Sequence, residues 1–293
     1  MKIRKKLKHG LYRLLNRSGL RPSLALLATT IATVRAEKVC RVSYDGEWVQ
    51  KFPSRTLVEP RLTLWTPERI ERLTRDLFMY QYLPKGGDTI VDVGAGTGWE
   101  TYTFSKLVGR SGRVISIEAH PAVFRCLSRV CAENRLENVT PIHAAVADRE
   151  GEVLLSDSPE HEANGIMGAV SGLRVPCTTL DHIFLSLGLS RVDFLKMNIE
   201  GAERLALPGM REMAGKTRNV CISCHDFLAD GGGSSELRTK SDVIAFLKQN
   251  RFLISLRESD GRCNVRDYVY GLNQSLPTNH ILTTYAARTP AQG

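Results

Sequence analysis

Three glycines and two carboxylates carry the clearest chemistry in this chain. Gly94-Ala95-Gly96-Thr97-Gly98 follows the apolar run Thr89–Val93, with Asp92 two residues upstream of Gly94 and Glu118 24 residues beyond it. Glycine at the end of a buried strand lets the backbone turn tightly and lets a ligand approach without a Cβ in the way. A dinucleotide fingerprint would need G-x-G-x-x-G, and the residue after the two-residue gap is Trp99. G-x-G-x-G with an upstream acid suits S-adenosylmethionine (SAM) instead. That ligand has no phosphate, but it carries a sulfonium and an α-ammonium that a nearby carboxylate such as Asp92 would favour. Glu118 closes the next strand, where a carboxylate can accept both hydroxyls of a ribose. The expected cofactor residues are Asp92, Gly94, Ala95, Gly96, Gly98, Glu118 and Ala119. Asp148, after the third strand, either reaches the adenine or opens an Asx turn into Arg149-Glu150-Gly151.

A second group gathers further along the chain. Lys196, Glu200, Glu203, His225 and Asp226 follow the fourth and fifth apolar runs. His225 has the intrinsic pKa of a general base, and that role is weighed against a packing histidine. Glu200 is expected to bind substrate or cofactor. Glu203 opens a helix, where the dipole favours a carboxylate, and Lys196 would neutralise Glu200 or Glu203. Trp99 is a candidate ligand contact, as are Trp65, Tyr80 and Tyr82, against plain packing. Asp230-Gly231-Gly232-Gly233-Ser234-Ser235 suits an acceptor lid or a loose connector. Cys221-Ile222-Ser223-Cys224-His225 spells a haem-attachment pattern. It falls where a buried strand belongs and has no second ligand pair, so neither haem nor a metal site is expected.

These residues need a scaffold that brings strand ends together. Thr66-Pro67 reads as a cap and first residue of a helix to about Tyr82. Strands are expected at Thr89–Val93, Arg113–Glu118, Val139–Ala144, Val192–Met197, Val220–Ser223 and Phe252–Leu256. Helices are expected at Gly98–Val108, Pro121–Asn134, Ala202–Met213 and Ser241–Asn250. Asp148–Ser156 and Leu173–Thr178 look like a β excursion, and Tyr268–Tyr270 or Ile281–Ala286 would supply the last strand. This alternation predicts an α/β domain with a doubly wound, mostly parallel sheet and ligands at the carboxyl ends of its strands.

The net charge of +9 at first suggests a nucleic-acid binder. Residues 1–41, however, hold eleven Lys/Arg and one acid, leaving 29 bases against 30 acids in the remainder. The body is neutral, so a nucleic-acid partner is not expected. The division drawn is a basic, partly apolar arm over residues 1–50 and one domain over 51–293. Ser23–Val34 is too short to span a bilayer. A basic helix with an apolar partner segment fits peripheral contact between residues 1–41 and an anionic membrane, against a loose arm or an extra packed helix. Seven cysteines without a framework point to a reducing cytoplasm, and the activity is placed there or at the inner membrane surface.

From Thr89 onward the order of segments resembles the FkbM family of SAM-dependent methyltransferases. The matching pieces are Val91-Asp92-Val93-Gly94-Ala95 with Gly98, Ile117-Glu118-Ala119-His120-Pro121, Asn134 with Asn138-Val139, Gly151-Glu152, Thr179-Leu180-Asp181, and Leu195-Lys196-Met197-Asn198-Ile199-Glu200-Gly201-Ala202-Glu203. The likeness covers roughly residues 88–210. It implies a Rossmann-like class I SAM methyltransferase fold with seven strands. It also implies O-methylation of a hydroxyl on a saccharide, a glycolipid or a natural product. A small soluble metabolite is the alternative acceptor, and a catalytically degenerate SAM-binding module the alternative function. Asn198 stands where the family pattern carries Asp. An amide keeps shape and hydrogen bonding for the cofactor but cannot act as a base.

Overall fold

The computed structural model describes residues 21, 24–36, 39–156 and 172–277. In chain order the described elements begin with helix α1 (Ala25–Ala36) and strands β1 (Arg41–Tyr44), β2 (Trp48–Lys51) and β3 (Thr56–Glu59), which form an antiparallel meander. Helix α2 (Pro67–Leu77) follows. Thr66 caps it by accepting from the Arg69 N–H. It ends earlier than the sequence suggested, because Phe78 and Tyr80 leave the helix to pack on Tyr268 and Tyr270.

The alternating core then runs β4 (Thr89–Val93), α3 (Trp99–Val108), β5 (Arg113–Glu118), α4 (Pro121–Glu133), β6 (Val139–His143), β7 (Ala145–Val146), β8 (Gly151–Leu155) and β9 (Leu173–Thr178). After it come α5 (Leu180–Ser186), β10 (Val192–Met197), α6 (Glu203–Ala206), α7 (Arg211–Lys216), β11 (Thr217–Ser223), α8 (Asp226–Asp230), α9 (Lys240–Gln249), β12 (Phe252–Leu256), α10 (Cys263–Arg266) and β13 (Tyr268–Asn273). The helix expected over 202–213 is interrupted. Pro208 and Gly209 sit in a 3-10 turn, Leu207–Met210, that separates α6 from α7. The last candidate strand, Ile281–Ala286, lies outside the described residues, and β13 fills the place in the sheet.

Seven strands form one sheet in the order β12-β13-β11-β10-β4-β5-β6. The pairs among β11, β10, β4, β5 and β6 are parallel, while β13 runs antiparallel to both neighbours. The order reverses at β4, and its carboxyl end is where a doubly wound sheet opens a crevice for a ligand. Alternation along β4 divides the core. Val91 and Val93 join Leu195, Val220 and Ile222 on one face, and Ile90 joins Phe104, Val114 and Phe194 on the other. A small sheet, β7-β9-β8, extends the edge beyond β6.

The N-terminal elements are packed onto this domain. Val49 of β2 and Val58 of β3 bury against Cys126 and Val130 of α4, and Asn134 at the end of α4 bonds both backbone groups of Thr56. Strand β2 runs across the 50/51 boundary drawn from the sequence. Most of the basic residues of the expected arm, from Lys2 to Arg17, lie outside the described residues.

Candidate functional site

The bend after β4 is built by glycine geometry and anchored from three sides. Gly94, Gly96 and Gly98 all have left-handed φ, at +70°, +56° and +88°. The Gly94 and Ala95 N–H groups donate to the Ile117 carbonyl at 2.9 and 3.0 Å. A Cβ on Gly94 would lie 2.0 Å from the Asn198 carbonyl oxygen, and one on Gly98 would lie 2.9 Å from Leu127. Gly96 differs, because nothing lies within 4 Å of where its Cβ would be. Its open side faces a cavity of about 260 Å³ at the carboxyl ends of β4, β5 and β10.

Glu118 projects into that cavity at the end of β5. The Gly96 N–H donates to Oε2 at 2.9 Å and the His120 N–H to Oε1 at 2.8 Å. These bonds fix the carboxylate and leave further lone pairs for a ligand. Burial raises its pKa, opposed by those two bonds and by Lys196. Ala119, Ala144, Ala145 and Val146 line the end of the cavity nearest β6, while Asn198 and Glu200 line the end nearest β10.

Asp92 is placed differently from the sequence expectation. It is fully buried, and it does not line the cavity. Oδ1 lies 2.9 Å from Lys196 Nζ, and Oδ2 accepts from Thr101 Oγ1 at 2.9 Å. Lys196 likewise pairs with Asp92, not with Glu200 or Glu203. Its ammonium also donates to the Gly94 carbonyl at 2.7 Å. Burial opposes its charge, but Asp92 and Glu100 outweigh burial and keep the pKa raised. The pair therefore braces the glycine bend from beneath. A strand residue alternates faces, and position 92 falls on the inner side of that bend.

Gly98 caps α3 against α4 and does not reach the cavity. Asp148 is exposed, pairs with Arg149 at 3.2 Å and does not line the cavity. Tyr80 and Tyr82 pack under the sheet against Tyr270 and Phe194. Trp99 does line the cavity, with Trp65 packed against it at a tilt, 5.1 Å between ring centroids. Cys221 and Cys224 are buried in separate hydrophobic clusters.

His225 is buried between two carboxylates and does not line the cavity. Nε2 lies 3.3 Å from Glu200 and Nδ1 3.1 Å from Glu203. Burial works against its charge, yet the hydrogen bonds to Glu200 and Glu203 prevail and push the pKa up to about 10. An imidazole that is already protonated has no lone pair to accept a proton, so the geometry gives His225 the work of holding Glu200. Glu203 is fully buried, with the Ile199 and Gly201 N–H groups and Thr239 Oγ1 donating to it. Glu200 itself adopts φ +54°, followed by Gly201 at +92°. A left-handed glutamate is uncommon and costs of order 1–3 kcal/mol unless the surroundings impose it. A Cβ on Gly201 would meet Leu237, two residues beyond the 230–235 loop, at 2.5 Å, and that loop itself does not line the cavity.

Sequence reasoning missed Glu59, Thr63 and Glu100, which also line the cavity. Glu59, at the end of β3, accepts from Gln50 Nε2 and Thr63 Oγ1, both at 2.8 Å. Glu100 is raised in pKa by burial, with Lys196 opposing. Its place two residues after Gly98 was the available signal. Glu59 gave none, because its strand belongs to a separate sheet. Glycine bend, fixed ribose-type carboxylate and an acidic surround together fit a cationic nucleoside such as SAM.

The chain is similar to known methyltransferases. The sequence profile of the Methyltransferase FkbM domain matches residues 92–254. The catalytic subunit of a tRNA (adenine(58)-N(1))-methyltransferase from Cryptococcus neoformans is 24% identical over 207 residues, covering 66% of this chain. The chain spans about 45% of that relative's length. Among solved structures, methyltransferase FkbM from Methylobacillus flagellatus aligns with a TM-score of 0.42 at 18% identity, over 64% of this chain and 43% of the other. Fibrillarin from Aeropyrum pernix, crystallised with S-adenosyl-L-methionine, aligns with a TM-score of 0.42 at 17% identity, over 78% and 94%.

Proposed function

The chain belongs to the FkbM methyltransferase family, with SAM as its cofactor, and on that premise we propose that it methylates a hydroxyl group of a saccharide, a glycolipid or a related natural product. The observation that carries the acceptor chemistry is Glu200. It is a carboxylate lining the cavity, set by a left-handed backbone and held by His225 at 3.3 Å. A hydroxyl is a weak nucleophile and gains from a proton acceptor within hydrogen-bond reach. Asn198 cannot take that proton, and Glu200 is the neighbouring carboxylate that lines the cavity.

Bound SAM supplies an electrophilic methyl group on a sulfonium. The chain's own part is positioning. Glu118 would accept from the ribose hydroxyls, and Gly96 would let the ligand lie against bare backbone. Asn198 would hydrogen-bond the ligand beside Glu200. Glu59 and Glu100 add negative charge around a cationic group. The Lys196–Asp92 pair holds the bend rigid, and rigid placement of reacting atoms supplies much of a methyl transfer's rate. Glu200 Oε takes the hydroxyl proton, and His225 is a positioning residue.

We place this activity in the cytoplasm, at the inner face of a membrane when the acceptor is lipid-linked. Seven unpaired cysteines support the compartment. Among the described residues no helix is long and apolar enough to cross a bilayer. The deciding experiment measures S-adenosylhomocysteine release with glycans, glycolipids, soluble hydroxylated metabolites and tRNA as separate arms. Turnover with a saccharide arm, reduced roughly 100-fold by Glu200→Gln at unchanged SAM affinity, supports the reading. Turnover confined to tRNA, the acceptor named for the Cryptococcus relative, overturns it. SAM binding with no turnover in any arm would favour the degenerate module.

A further inference from the structure

We propose that the outward face of helix α1 is a docking surface for anionic lipid, lying in the headgroup layer and presenting the cavity to the membrane. The inner face of α1 is already committed to the protein. Ala28 and Ala32 are buried against Val42, Trp48 and Leu62. Thr29 Oγ1 accepts from the Val42 N–H at 2.9 Å and Thr33 Oγ1 from the Cys40 N–H at 3.1 Å, which fastens the helix along β1.

The opposite side should then be polar, yet beside Thr30 it carries large apolar side chains. Leu26 is 78% exposed, Leu27 44% and Val34 72%, with Val39 just beyond the helix at 76%. Half of the large hydrophobic residues exposed among the described residues fall in this one short stretch. A clustered apolar patch on an exposed face marks an interaction site.

Two observations choose lipid as the cover. Residues 1–41 carry eleven bases and one acid, against a neutral body, which is the charge complement of an anionic leaflet. The helix has 12 residues, too few to cross a bilayer and sufficient to lie in its interface. The placement also has a consequence for the acceptor. The hydrophobic cluster beneath α1 continues through Leu62 and Leu64 to Trp65 and Trp99, and Trp99 lines the cavity. The docked face and the site are thus joined through one hydrophobic cluster. Docking itself is independent of the acceptor proposed above; only the use made of the cavity rests on that reading.

The test is co-sedimentation of the full chain with vesicles of phosphatidylcholine alone or mixed with phosphatidylglycerol, at low and high salt. The variant is Leu26→Ser/Leu27→Ser/Val34→Ser, whose positions are exposed. Calorimetry with SAM shows whether its fold is kept. Expected are binding to the anionic vesicles only, and affinity lowered about tenfold or more in the variant. Part of the wild-type binding should survive salt, because apolar insertion is not screened. Absence of vesicle binding by the wild type overturns the proposal. So does a variant that binds as well as wild type, leaving the basic run as the whole cause. Self-association of the wild type that the variant abolishes, without lipid binding, would assign the face to a second copy. Vesicle binding without SAM binding would leave this proposal standing and remove the enzymatic one.

Discussion

Lys196 Nζ lies 2.9 Å from Asp92 Oδ1 with both side chains sealed from solvent, and the same ammonium holds the Gly94 carbonyl at 2.7 Å. Removing either partner leaves an uncompensated buried charge, which costs about 3–5 kcal/mol. Lys196→Met and Asp92→Asn should each lower the denaturant midpoint strongly. Both should also weaken SAM binding, although Asp92 does not line the cavity. A variant that keeps wild-type stability while losing SAM affinity would instead mean direct contact with the ligand.

Gly94 and Gly96 should respond differently to alanine. At Gly94 the new Cβ meets backbone at 2.0 Å, so the bend and β10 must separate and folding should suffer. At Gly96 there is open space, and the cost is the left-handed conformation alone, about 1–2 kcal/mol. Gly96→Ala should therefore fold, with a methyl group directed into the cavity and SAM affinity reduced. Thermal melts and calorimetry on the two variants decide this.

Glu118→Gln keeps the shape of the side chain but removes its charge and one acceptor. Hydrogen bonds to a charged group contribute about 1.5–3 kcal/mol, so SAM affinity should fall by roughly 10- to 100-fold. Adenosine should lose a similar factor, because the contact is to ribose. Equal adenosine affinity in wild type and variant would reassign Glu118.

His225 gives the fold a pH dependence with a definite sign. Its pKa is raised from 6.5 to about 10, so the folded state binds the proton more tightly than the unfolded chain. The stabilisation is fully present below about pH 6.5 and is lost as pH rises through about 10, with a size of a few kcal/mol. The stability gap between wild type and His225→Gln should therefore shrink across that interval. A gap that widens toward alkaline pH would show that His225 is neutral in the native protein.

Local pattern was sufficient for much of this molecule. The apolar runs at 89–93, 113–118 and 192–197, the Thr66-Pro67 cap and the glycine spacing each follow from a few neighbouring residues, since strand and turn preferences are short-range. So does Glu118 as a site residue, because it closes a strand that must end at the same rim as the glycine bend. Which partner each charge meets depended on long-range pairing. Lys196 reaches Asp92 only because β10 lies beside β4, and His225 meets Glu200 and Glu203 only because β11 lies beside β10. Glu59 reaches the cavity from a sheet in which the family pattern has no part. The two carboxylates then decided the charge of His225 against its burial, a sum over neighbours that the order of residues along the chain does not contain.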